Sequence, residues 1–193
     1  MRASGEPCAT ALQISASCSA GVARANNSLL VNFRGQICRE AWARGRIADH
    51  EVGDQVSYLC GDATEAYGGD MTKFRRHILF VRPALFVVLD DVAAPRLSSF
   101  QWLLHGLEEM KTDEEAGTVA LQHAGAHLQV RLSSPVGLWF EHTDAFEPRY
   151  NAGSPPQFLE EHPNHWHFTA STVRGSTETR IGAVMLVTAD GEQ

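Results

Sequence analysis

The chain has 193 residues, of which 44% are hydrophobic and 20% charged, the composition of an ordinary globular domain and not of a disordered or membrane-embedded one. Its formal charge of −7 offers no net basic field for phosphates, so nucleic acid is a poor partner. The longest apolar runs, 78–81 and 84–89, are strand-sized and fall far short of the roughly 18 residues a spanning helix needs, so no membrane span is predicted. Residues 1–23 contain one arginine and no continuous apolar core, so they do not read as a signal peptide and suggest a poorly ordered lead-in or the cut edge of something larger. From residue 24 to residue 193 the chain reads as one domain.

Past residue 28, short alternating or apolar runs are broken by Gly, Pro, Asn and Asp, the pattern of antiparallel β structure. Strands are predicted over 28–33, 45–51, 55–60, 73–81, 84–92 and 98–105, then 118–122, 127–132, 137–142, 166–173 and 180–188. Arg82-Pro83 separates two strongly apolar runs, and proline cannot donate to a ladder, so it marks a hairpin. About eleven strands with frequent turns point to an all-β, two-sheet antiparallel sandwich. Only 108–116 tolerates a helix, and the proline-rich segment 147–164 reads as a long irregular loop.

Few residues announce chemistry. The chain has no GxSxG elbow, P-loop, GxGxxG or HExxH, and Cys8, Cys18, Cys38 and Cys60 lack CxxC spacing. Among nine histidines, His162, His165 and His167 form HxxHxH, with His165 and His167 on one strand face, which would suit a metal or, more simply, ordinary hydrogen bonding. His105 ends a strand, and a structural hydrogen bond is its simplest role. His77 lies inside a strand on the face of Arg75 and Leu79, where a half-buried imidazole needs a partner. Asp49 and His50 point to opposite faces of their strand, so only one of them can share His77's face. Tyr67 follows a strand in a Gly-rich turn, where a phenol reaches a cleft or packs into the interior. Arg75, Arg76 and Arg82 are either a local basic cluster or solvated charges flanking strands.

Several segments taken together resemble the C-terminal region of heparinase II/III-like polysaccharide lyases. They are Asn27-Ser28-Leu29-Leu30-Val31-Asn32 with Gly35-Gln36, Gly61-Asp62-Ala63-Thr64-Glu65-Ala66-Tyr67, Arg75-Arg76-His77-Ile78-Leu79-Phe80 with Leu89-Asp90-Asp91, and Phe100-Gln101-Trp102-Leu103-Leu104-His105. The resemblance covers roughly residues 24–106 and loosens beyond. It implies the sandwich half of an enzyme whose N-terminal α/α toroid is missing here, acting on an acidic, uronate-containing polysaccharide by β-elimination, in a periplasmic or secreted setting. Such chemistry removes the proton beside the uronate carboxylate, stabilises the enolate and protonates the leaving oxygen. By the resemblance Tyr67 is the catalytic tyrosine of the sandwich, Arg75 and Asn26 bind substrate, and His77 and Asp49 hold a structural zinc. The family's His-Asn at the start of the first strand falls on Asn26-Asn27, so one histidine is replaced. The alternative is a non-catalytic carbohydrate-binding or structural sandwich module.

Overall fold

The computed structural model describes residues 22–37, 40–145 and 165–190. Their strands are β1 (Leu29–Val31), β2 (Arg46–Val52), β3 (Val56–Asp62), β4 (Lys73–Val81), β5 (Leu85–Ser98) and β6 (Phe100–Gly106). Then follow β7 (Lys111–Asp113), β8 (Thr118–His123), β9 (Ala126–Ser133), β10 (Leu138–Thr143), β11 (Trp166–Thr172) and β12 (Ser176–Ala189). Two short 3-10 turns, Val22–Ala25 and Thr64–Tyr67, accompany them. The strands make a four-stranded sheet ordered β1-β6-β11-β10 and an eight-stranded sheet ordered β2-β3-β4-β5-β12-β9-β8-β7, all antiparallel neighbours. The two-sheet sandwich expected from the pattern is what the chain forms.

Alternation decides what faces the interior. On β4 and β5 the register pairs Phe74 with Val92, Arg76 with Asp90 and Ile78 with Val88 on the inner face. The intervening pairs, Arg75 with Asp91, His77 with Leu89 and Leu79 with Val87, face outward. From the small sheet, Phe100, Trp102, Leu104, Phe168 and Ala170 meet Val92, Val119, Val130, Ile181 and Ala183 of the large one. Each large apolar side chain removed from water here contributes roughly 1.5–3 kcal/mol. The inner face also holds one ion pair: Arg76 Nε and Nη2 each donate to an Asp90 carboxylate oxygen at 2.7 Å, with Asp90 fully buried.

Three segments go beyond the sequence pattern. Residues 108–116 form no helix; Lys111–Asp113 pairs with β8 as an edge strand, and Asp113 Oδ1 accepts the Ala116 N–H in the turn that Gly117 closes at φ 68°. β5 runs on through Pro95 to Ser98, because the register with β12 shifts between Ala93 and Ser98 and Pro95 has no paired partner to which its missing N–H matters. β12 begins at Ser176, in a polar stretch with no apolar alternation to reveal it. The predicted loop 147–164 lies outside the described residues, as do residues 1–21 of the predicted lead-in.

Candidate functional site

Two groups of polar side chains stand out, one at the end of the small sheet and one on the outer face of the large sheet. At the first, β6 and β11 run side by side and their register sets His105 opposite His167. The two rings meet edge to face, with centroids 4.6 Å apart and planes at 83°. Asn27, just ahead of β1, accepts the His105 main-chain N–H through Oδ1 at 2.9 Å, and the same oxygen lies 3.0 Å from His105 Nδ1. His105 Nε2 lies 2.7 Å from the Arg24 carbonyl. Burial, followed by the neighbouring His167, pushes the His105 pKa down to about 4, against the raising effect of the Arg24 carbonyl, with His165 adding to the fall. His167 is lowered as well, by burial and then by His165. Both imidazoles are therefore neutral at pH 7. A neutral ring carries one proton, so His105 can donate to only one of these two oxygens, the Arg24 carbonyl or Asn27 Oδ1.

This end of the sheet is tied to the interior. Arg76, already paired with Asp90, donates from Nη1 to the Asn27 carbonyl at 2.8 Å. The Asn26 carbonyl accepts the Ser28 N–H, and the Ser28 carbonyl accepts the Leu103 N–H. Asn26 itself is half-buried, one residue ahead of Asn27.

Tyr67 lies apart from both groups. It ends the 3-10 turn at 1% exposure, its hydroxyl donates to the Leu29 carbonyl at 2.6 Å, and its ring meets Phe74 edge-on. Burial raises its pKa far beyond the ordinary phenol range. The geometry makes Tyr67 an anchor for β1; a proton-transfer role would need the phenol to reach a cleft, and here it faces the core.

On the outer face of the large sheet, the register aligns Asp49, Cys60 and His77 in one row across β2, β3 and β4. Asp49, and not His50, therefore shares His77's face. A strand nevertheless separates them, so their backbones stand about 10 Å apart. Among the described residues no three His, Cys, Asp or Glu side chains gather as metal ligands, and His77 Nδ1 is instead 2.8 Å from Tyr58 Oη. Asp49 and His77 thus do not fit a zinc centre in this arrangement. Burial first, then Cys60 and Asp49, raise the Tyr58 pKa, so the phenol stays protonated. Arg75 stands exposed in the next row, its Nε 3.5 Å from Asp62 Oδ2. Of the HxxHxH residues, His162 lies outside the described residues, His165 is exposed just before β11, and His167 belongs to the His105 group.

Sequence reasoning missed Tyr58 and the His105–His167 pairing. Alternation on β3 places Tyr58 on the face of Cys60, but only the β3–β4 register brings it to His77.

No protein-family model matches the chain, and no curated protein does. Solved structures do. A heparinase III structure superposes with TM-score 0.64 and 15% identity, covering 86% of this chain and 24% of that one. The heparinase III BT4657 gene product gives 0.63 and 15%, covering 84% and 24%. The heparan sulfate lyase HepC from Pedobacter heparinus gives 0.62 and 12%, covering 88% and 25%. At these identities the likeness is one of fold. The chain spans about a quarter of the length of these structures.

Proposed function

We propose that this chain is the β-sandwich portion of a polysaccharide lyase that acts on uronate-containing glycans by β-elimination, and that it contributes a wall of the glycan site without cleaving by itself. The observation that carries this reading is the superposition of 84–88% of the chain on a quarter of heparinase III and heparan sulfate lyase structures. Within the chain, His105 and His167, set edge to face beside Asn27, are the imidazoles this reading places at the glycan wall as neutral hydrogen-bonding groups. They stand where the first strand starts, so they offer the imidazole that Asn26 and Asn27 do not. The rest of the catalytic set then comes from an α/α toroid domain.

The second reading, a non-catalytic glycan-binding module, is favoured by one observation: Tyr67, the tyrosine the resemblance assigns to catalysis, is shut in the core. Incubating the chain with heparan sulfate and following ultraviolet absorbance of the unsaturated uronate product tests the division of labour. No product from the chain alone is the expected result. Steady product accumulation would show that the chain is catalytically complete and overturn it.

A further inference from the structure

The outer face of the large sheet carries a ladder of alternating charge that runs straight across five strands. Register pairs Arg46 on β2 with Asp62 on β3, Asp62 with Arg75 on β4, Arg75 with Asp91 on β5, and Asp91 with Arg180 on β12. Lys73, one step along β4, closes on Asp91 at 2.8 Å. Four cations thus share two carboxylates. In the adjoining rows register places Glu178 across Ala93 from Lys73 on one side and Asp49 on the other. In a chain with a formal charge of −7, cations held in excess along one line are a departure from the average surface.

The arginines are positioned and still available. Arg75 reaches Asp62 through Nε at 3.5 Å, and Arg180 reaches Asp91 through Nε at 3.7 Å, with their side chains 50% and 67% exposed. Among the described residues neither forms a hydrogen bond through its terminal Nη atoms. Arg76, one residue away, shows the contrast: its Nε, Nη1 and Nη2 are all committed inside the protein. Asp62 is itself fixed, because its Oδ1 accepts the Thr64 N–H and hydroxyl at 3.1 and 2.8 Å while Oδ2 serves Arg46 and Arg75.

Spacing points to the ligand. Arg46, Arg75 and Arg180 occupy every second strand, which sets them about 10 Å apart at the usual strand separation. That is close to the length of a disaccharide unit, the interval at which an acidic glycan repeats its charge. Beside the ladder lie His77, Tyr58 and Leu89, an apolar and aromatic margin against which a pyranose face can rest. We propose that this ladder binds an acidic polysaccharide laid across the strands, Arg75 and Arg180 each taking a carboxylate or sulfate of successive disaccharides. The proposal rests on the glycan reading above but does not require cleavage.

The test is calorimetric titration of the full chain at low salt with a heparin octasaccharide, its fully desulfated counterpart, and a single-stranded DNA of equal charge. R75Q/R180Q should weaken heparin binding by about tenfold or more, as expected for losing two charge-assisted bidentate contacts, and lower the salt dependence by about two counterions. R34Q/R174Q, which removes the same charge at residues outside the ladder, should stay within about twofold of the parent. R75K/R180K, which keeps charge but not the fork, should fall between, and its thermal unfolding guards against a folding artefact. Retained binding of the desulfated octasaccharide assigns the contacts to carboxylates, and its loss assigns them to sulfates; both support the ladder. Absence of parent binding, equal losses in the two double variants, or equal binding of DNA would overturn it. Binding without lyase activity leaves the ladder standing, whereas cleavage by a chain indifferent to R75Q/R180Q keeps the lyase reading and removes the ladder.

Discussion

His105 and His167 face each other across β6 and β11 with ring centroids 4.6 Å apart, two imidazoles held too close and too dry for either to charge easily. A histidine whose folded pKa lies below its unfolded value of about 6.5 leaves the folded state with fewer bound protons than the unfolded state as pH falls. Its contribution is thus fully present above that value and lost on acidification from about 6.5 down to about 4, where folded His105 finally protonates. The melting temperature of the parent should drop steadily through this window. H105Q should flatten the drop, and a slope unchanged by H105Q would contradict the pairing.

Asp90 and Asp91 are sequence neighbours with opposite fates. Asp90 is fully buried and chelates Arg76, so D90A leaves a guanidinium uncompensated beneath the sheet and should cost about 3–5 kcal/mol. Asp91 faces outward between Lys73 and Arg180, and D91A should cost no more than about 1 kcal/mol. Urea unfolding of both variants measures the contrast directly; similar losses would mean that the assignment of sheet faces is wrong.

For Tyr67, truncation to phenylalanine keeps the ring against Phe74 but leaves the buried Leu29 carbonyl without its donor. Y67F should therefore lose about 1–3 kcal/mol of stability. Glycan binding, measured well below the melting temperature, should be unchanged. A binding defect without a stability defect would restore Tyr67 to the site.

Much of this was legible in residue order. The apolar runs on either side of Arg82-Pro83 fixed the β4–β5 hairpin, and the strand predicted over 73–81 is β4 as it stands. Period-two alternation also separated His77 from its neighbours Arg76 and Ile78. What stayed hidden depends on register. The choice between Asp49 and His50 as His77's face-mate turns on an irregularity between Ile47 and Asp49, which no local pattern announces. The His105–His167 contact joins strands separated by the whole of β7 to β10. For Tyr67 the residue pattern left packing and a cleft both open, and the 3-10 turn Thr64–Tyr67 decides for packing by burying Ala66 and Tyr67. The charge ladder was likewise invisible, since each of its five main residues sits on a different strand.

The central claim is that a fold shared with heparan sulfate lyases here carries the ability to hold an acidic glycan. Equilibrium binding of heparan sulfate to the purified chain across a series of salt concentrations tests it most directly. Saturable binding that weakens linearly in log–log form as salt rises is the predicted result. No saturable binding at the lowest salt would contradict it.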